Sequence, residues 1–344
     1  MPSVNAMTSP IPILDLSTLD AGPQAAERFR ADLRRATHEI GFFVLTGHGI
    51  PDALQADLHR VARAFFDLPE EDKLAIENVN SPHFYGYTRV GGERTQGRVD
   101  WREQIDLGPD RPALELSEDS PAYLRLEGPN QWPVALPEFR EVLTAWRSTL
   151  IGVAERLLHA WCESLGQAPD ALDAAFGERP STLIKVVRYP GRDESDADRQ
   201  GVGGHKDSGM ITLLWIEPGK GGLQVELDGD WIDIPSIPGG LVVNIGELLE
   251  WATGGYLTAT IHRVISPPAG EDRISVPFFY NPQLDQVVPQ LTLPPELAVE
   301  ARGVRAYGED NPIHSTYGEN ALKSRLRSHP NVAERHHADL LALR

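Results

Sequence analysis

Gly203-Gly204-His205-Lys206-Asp207-Ser208-Gly209-Met210-Ile211-Thr212-Leu213-Leu214-Trp215 decides how the rest of the chain is read. An imidazole and a carboxylate stand two residues apart at the mouth of a β-branched, apolar run with the texture of a strand. Side chains alternate faces along a strand, so His205 and Asp207 are expected to point the same way. They supply two thirds of a facial metal triad. A second strand-like segment, Thr258-Ala259-Thr260-Ile261-His262-Arg263-Val264-Ile265-Ser266, offers His262 as the third group. Two imidazoles and one carboxylate on one face of an iron(II) ion leave its other face open to further ligands. The chain also contains a decoy: His337-Ala338-Asp339 has the same spacing but lies in a helical pattern. Residues two apart on a helix do not face each other, so that pair is set aside.

Beyond the triad, Asp272-Arg273-Ile274-Ser275-Val276 places an arginine and a serine on one strand face. A guanidinium is the side chain suited to clamp a carboxylate through two parallel hydrogen bonds. Upstream, Arg188-Tyr189-Pro190 adds a phenol, Tyr189, that could join that clamp.

The order Arg-Tyr-Pro, His-x-Asp-x-Gly-x-x-Thr-Leu-Leu, distal His and Arg-x-Ser resembles the isopenicillin N synthase-like group of iron(II)- and 2-oxoglutarate-dependent oxygenases. The resemblance reaches the N-terminus. Ile11-Pro12-Ile13-Leu14-Asp15-Leu16 is similar to the family's opening strand, and Gly41-Phe42-Phe43-Val44-Leu45-Thr46-Gly47-His48-Gly49 to its next strand and turn. Ala64-Phe65-Phe66-Asp67-Leu68-Pro69 resembles a helix end, and Gly86-Tyr87 a later turn. The resemblance implies His205, Asp207 and His262 as iron ligands. It implies Arg273 and Ser275, helped by Tyr189, as the groups that hold the distal carboxylate of 2-oxoglutarate. It also implies a reaction in which dioxygen and 2-oxoglutarate oxidise a C–H bond of a small molecule, by hydroxylation, desaturation or cyclisation. The family region corresponding to 78–98 lies over the active site, which makes Tyr87, Arg89, Arg94 and Arg98 the candidate substrate contacts. The three arginines hint at an anionic substrate. His48 reads as a structural turn histidine.

Some relatives keep the same Arg-x-Ser without using 2-oxoglutarate and bind the substrate's own carboxylate there. The motif alone does not choose; the 2-oxoglutarate branch is favoured as the larger. A zinc hydrolase is a further alternative, because two histidines and a carboxylate also bind zinc, but it gives the Arg-x-Ser pair no purpose. A non-catalytic jelly-roll binding protein would be expected to have lost a ligand, and none is lost.

The 344 residues carry 32 Lys and Arg against 50 Asp and Glu, a net charge of −18. Nucleic acid and anionic membranes both demand a basic footprint, so neither is expected as a partner, and no protein partner is implied. Cys162 is the one cysteine, which rules out an intramolecular disulfide; its amphipathic helical setting suits an inert core thiol. Residues 1–10 have neither the basic start nor the apolar stretch of a secretory signal. A cytoplasmic location is expected.

Helical periodicity predicts helices over 23–40, 52–66, 70–76, 138–165 and 317–327. After residue 181 short apolar runs alternate with Gly, Pro and Asp, and strands are expected at 183–187, 203–207, 210–215, 223–226, 231–233, 241–244, 257–260, 263–265 and 274–280. The expected fold is mainly β with flanking helices around a double-stranded β-helix, or jelly-roll, core. The expected organisation is a disordered leader at 1–10, an elaboration of helices and strands at 11–180 belonging to the same unit, the core at 181–330 and a helical tail at 331–344.

Overall fold

The structure, a computed structural model, describes residues 9–193, 200–304 and 311–342. All but the last two residues of the expected leader lie outside the described residues. The first part of the chain alternates short strands with helices: β1 (Ile13–Asp15), α1 (Pro23–Glu39), β2 (Phe42–Thr46), α2 (Asp52–Phe66), α3 (Glu70–Leu74), β3 (Gly86–Thr88), β4 (Arg94–Thr95), β5 (Arg98–Val99) and β6 (Glu103–Leu107). The long α4 (Glu138–Ser164) and the short α5 (Asp173–Phe176) lead into a strand-rich region. It comprises β7 (Ser181–Pro190), β8 (Gln200–His205), β9 (Ile211–Ile216), β10 (Leu223–Leu227), β11 (Asp230–Asp233), β12 (Leu241–Ile245), α6 (Glu247–Ala252), β13 (His262–Ile265) and β14 (Asp272–Asn281). Helices α7 (Pro295–Ala298), α8 (Tyr317–Ser328), α9 (Pro330–His336) and α10 (Ala338–Leu341) complete the described chain.

Eight strands form the major sheet in the order β1-β2-β12-β9-β14-β7-β6-β3, antiparallel except for the β1–β2 pair. Four of the eight come from the segment before residue 181. The minor sheet runs β11-β10-β13-β8, and β4 pairs with β5 as a separate hairpin. The two larger sheets make the jelly-roll core, joined by an apolar cluster that includes Phe42, Val44, Val187, Val202, Leu223, Val242 and Val264.

The central strands of the major sheet are covered on both faces, and their alternation divides the work. On β9, Ile211, Leu213 and Trp215 enter the larger core, as do Leu241, Val243 and Ile245 on β12 and Ile274, Val276, Phe278 and Tyr280 on β14. Helices α1, α2 and α4 cover that face with Phe29, Leu33, Phe65, Trp146, Leu150 and Trp161. The intervening residues, Thr212, Leu214, Asn244, Arg273, Ser275, Pro277 and Phe279, face a cavity. A strand buried on both sides reads as a near-continuous apolar run, which is how these segments look in the sequence.

Two expected strands are corrected. Residues 257–260 have no ladder partner; they are held to the end of α1, with Thr258 N–H donating to Thr37 O at 3.0 Å and Thr260 Oγ1 to Ile40 O at 2.6 Å. Gly41 permits that approach, because its φ is +77° and a Cβ there would stand 2.1 Å from Thr258 O. The strand expected at 203–207 ends at His205. Among the described residues no helix is long and apolar enough to cross a membrane. Cys162 is buried, and burial pushes its thiol up to about 11.

The C-terminal helices dock through histidines. His329 and His337 are both fully buried; His337 stacks on Phe84 at 5.0 Å and its Nε2–H donates to Pro82 O at 2.8 Å. Asp339 of the decoy pair is exposed and joins Arg125 instead. His329 Nε2 has no hydrogen-bond partner and lies 3.8 Å from Asp106.

Two stability predictions follow from this packing. Trp146 has no exposed surface, and Trp146→Ala is expected to cost about 3–5 kcal/mol in urea-induced unfolding. Burial holds His329 down to about 4 from 6.5, so the folded chain binds fewer protons than the unfolded chain between those values. Stability should therefore fall as pH drops through that window, and His329→Leu should flatten the dependence in unfolding curves measured between pH 7.5 and about pH 5.

Candidate active site

Two strand ends and a turn bring the triad together. His205 closes β8, His262 opens β13, and the antiparallel register sets them opposite each other with ring centroids 4.3 Å apart. Asp207 lies in the turn beyond β8, which is where the alternation argument fails. That turn is seated on the start of α6: Glu247 N–H donates to Asp207 O at 2.7 Å and Leu248 N–H to Gly209 O at 3.0 Å. Gly246 makes the approach possible, since a Cβ there would stand 2.2 Å from Gly209 O. The carboxylate still reaches the same point. Its Oδ1 lies 3.6 Å from His205 Nε2 and 3.7 Å from His262 Nε2, and one ligand atom from each residue falls within 4.8 Å of the others. No other group of three His, Cys, Asp or Glu among the described residues does so.

The other atoms of these side chains are engaged away from the centre. His205 Nδ1–H donates to Gly203 O at 2.9 Å and His262 Nδ1–H to Thr260 O at 3.1 Å. Asp207 Oδ2 accepts from Thr212 Oγ1 at 2.5 Å and Asn244 Nδ2 at 2.8 Å. These bonds fix both tautomers with the Nε2 lone pairs facing inward and leave Oδ1 free to face them. Burial followed by the neighbouring His205 pushes His262 down to about 4. Burial opposes the charge of Asp207 as well, but His262, His205 and Thr212 outweigh it and hold the carboxyl far below its usual range. Two imidazoles and a carboxylate aimed at one point fit a divalent iron ion.

Arg273 is 1 % exposed, opposite Tyr189 in the β14–β7 register, and its guanidinium carbon lies 5.2 Å from the centre of the Tyr189 ring. Its Nε and Nη1 have no hydrogen-bond partner. The neighbouring Asp272 bonds Arg63 at 2.7 and 2.8 Å instead. Burial lowers the pKa of this guanidinium, with Tyr189 and Glu217 acting the other way. Desolvating such a cation costs on the order of several kcal/mol unless an anion faces it, so the site fits a carboxylate. Ser275 is buried two residues along the same face.

Triad, Arg273, Ser275 and Tyr189 line one cavity of about 380 Å³, a size ordinary for small-molecule sites. Of the substrate candidates, Arg94 lines this cavity and the other three do not. Tyr87 is in the helix-side core and donates to Glu103 at 2.6 Å. Arg89 is exposed and bonded to Glu77 at 2.8 Å. Arg98 is exposed on β5. Lys206 turns its ammonium to Glu250, 3.2 Å away. His48 is structural: its Nε2–H donates to Gly239 O at 2.7 Å and Nδ1 accepts from Ile50 N–H.

Sequence reasoning missed a group of buried charges in and behind the cavity wall. Glu93 meets Arg102 and Lys185, each at 2.9 Å, and Asp106 meets Arg325 at 2.5 Å and Lys185 at 3.6 Å. Asp100, without exposed surface, accepts from Thr95 Oγ1, Arg102 Nη2, Gln200 Nε2 and Gly203 N–H. Lys185 was within reach, since it shares a strand face with Val187 and Tyr189.

A jelly roll with a His-Asp-His triad on its cavity and a buried, unpaired arginine on the facing sheet defines a class of non-haem iron oxygenases. Comparison with known proteins agrees. Residues 11–135 match a family described as the N-terminal region of non-haem dioxygenase in morphine synthesis, and residues 181–282 match the 2OG-Fe(II) oxygenase superfamily. The 2-oxoglutarate-dependent dioxygenase frbJ of Dothideomycetidae sp. (strain 11243) is 37% identical over 94% of this chain and 91% of its own length. A 2-oxoglutarate-dependent dioxygenase of Gibberella zeae is 36% identical, covering 97% and 92%. The crystal structure of a 2OG-Fe(II) oxygenase family protein from Caulobacter crescentus superposes with a TM-score of 0.74 at 30% identity, covering 93% of this chain and 99% of that one. The chain belongs to the 2OG-Fe(II) oxygenase superfamily and is a dioxygenase that depends on iron(II) and 2-oxoglutarate.

Asn244→Leu, which removes one of the two bonds to Asp207 Oδ2, is expected to weaken metal binding roughly 10- to 100-fold in an anaerobic iron(II) titration.

Proposed function

We propose that His205, Asp207 and His262 hold the iron, and that Arg273, with Ser275 and Tyr189, holds the distal carboxylate of 2-oxoglutarate. The observation that carries the reading is a buried, unpaired guanidinium and a three-ligand cluster facing one cavity from opposite sheets. With iron(II), 2-oxoglutarate and dioxygen bound, the centre supplies an oxidant for a substrate C–H bond while 2-oxoglutarate leaves as succinate and carbon dioxide.

The chain's own residues position and shield. Thr212 and Asn244 hold Asp207 in one orientation, and the carbonyls of Gly203 and Thr260 do the same for the two imidazoles. Phe42, Val202, Leu214, Leu223 and Val264 line the cavity with apolar surface that excludes water. Arg273 fixes the co-substrate at its far end, which orients its 2-oxo acid group toward the triad. Arg94 is the substrate contact retained from the sequence candidates. We read residues 11–330 as one catalytic unit, a reading supported by the strands that 11–180 contribute to the major sheet. A cytoplasmic location suits the buried, unpaired Cys162 and an enzyme that needs ferrous iron.

The test is an anaerobic titration of apo-protein with iron(II) and then 2-oxoglutarate, following the visible charge-transfer band of a chelated 2-oxo acid. Wild type should develop the band, and His205→Ala should fail to bind iron. Arg273→Ala should lose about 2 kcal/mol or more of co-substrate affinity, at least about thirtyfold. Unchanged 2-oxoglutarate affinity in Arg273→Ala would remove the clamp assignment.

A further inference from the structure

We infer that the primary substrate of this enzyme is a small organic acid whose carboxylate is held by Arg94. The inference deepens the functional reading above and rests on it. Its basis is the distribution of charge around the cavity. Glu93 faces Arg102 and Lys185, Arg325 faces Asp106, Glu127 faces Arg179 and Arg111, and Lys206 faces Glu250. Glu247 and Arg327 are engaged as well. Deeper in, Asp207 and Arg273 together with an iron(II) ion would balance the two carboxylates of 2-oxoglutarate. Arg94 is different: it lines the cavity, and no carboxylate, carbonyl or hydroxyl among the described residues bonds it. Arg94 therefore adds a positive charge to the cavity wall that no described carboxylate answers, in a chain whose net charge is −18. An unpaired cation on the wall of a cavity attracts a ligand of opposite charge.

Arg94 is exposed at the cavity wall, but the backbone that carries it is anchored. Its hairpin is fastened at both feet. On one side Glu93 is bonded to Lys185 and Arg102. On the other, Asp100 is bonded to Thr95, Arg102, Gln200 and Gly203. The tip, Gln96 at φ +52° and Gly97 at φ +77°, is a tight two-residue turn. A cation on an anchored backbone loses less freedom when it captures a ligand. The same cavity wall carries two more buried oxygen atoms without partners, Thr182 Oγ1 and Asn311 Oδ1, which suit hydrogen bonds to a polar substrate.

The test uses the full chain reconstituted anaerobically with iron(II) and 2-oxoglutarate, with formation of the visible band checked first. A protein that forms no band fails the functional reading; one that forms it can then be tested for this inference alone. Equilibrium binding is measured for a panel of aliphatic, aromatic and N-acyl amino acid monocarboxylates, each beside its methyl ester and a phosphate monoester of similar size. Binders are then assayed by succinate release. One or more acids should bind at least tenfold tighter than their esters and phosphate counterparts. For the best acid, Arg94→Gln should raise KM tenfold or more with kcat within about twofold, and Arg94→Lys should recover part of the loss. The proposal fails if no acid is preferred over its ester, if phosphates or amines are preferred, or if Arg94→Gln leaves the KM of the best acid unchanged.

Discussion

Burial on both faces constrains the central strands of the major sheet more than anything else. Each of β7, β9, β12 and β14 must give alternate residues to the helix-covered core and to the cavity, and period-two geometry leaves no third option. Arg273 and Ser275 can face the cavity because Ile274 and Val276 are packed beneath α2 and α4. Thr212 and Asn244 can hold Asp207 because Leu213 and Val243 anchor their strands from behind. A one-residue slip of any of these strands would bury its polar set in the helix-side core and empty the site. Register and chemistry are therefore a single property of this sheet, and the apolar face of the helices enforces both.

Much of this was legible in local sequence. The His-x-Asp spacing, the distal His and the Arg-x-Ser pair carry chemistry at short range, and apolar periodicity marks α1, α2, α4 and α8 within a residue or two. What escaped depends on distant neighbours. Asp207 was placed on a strand because alternation says nothing of a turn propped on α6, and Gly246, which permits the prop, is nearly forty residues away. Residues 257–260 look like a strand but spend their hydrogen bonds on the end of α1. Tyr87 and Arg89 had the right composition for substrate contacts. Their partners Glu103 and Glu77, which draw them elsewhere, were not predictable from a loop's texture.

The buried charges behind the cavity wall illustrate the limit most clearly. Glu93, Asp100, Arg102, Asp106, Lys185 and Arg325 come from five separate segments, and each would be a poor core residue alone. Together they are mutually neutral and extensively hydrogen-bonded, which is the condition under which buried ions are tolerated. Such a group contributes less by net stability than by geometry. Removing one partner strands the others, so it admits one arrangement of the hairpin over the site.

Asp100 extends that geometry to the His-Asp-His triad. One carboxylate oxygen accepts from Thr95 in the hairpin and from Arg102, while the other accepts from Gln200 and Gly203 on β8. Gly203 in turn offers its carbonyl to His205 Nδ1–H. The hairpin that carries Arg94 and the strand that carries His205 thus share a single buried anion. Displacing the hairpin would loosen a bond to Gly203, the residue that orients His205, and shifting β8 would pull on the hairpin's foot. The Arg94 side and the triad side of the cavity are for that reason not independent parts joined by chance proximity. They are two ends of one hydrogen-bonded unit, and geometry imposed at either end is transmitted through Asp100 to the other.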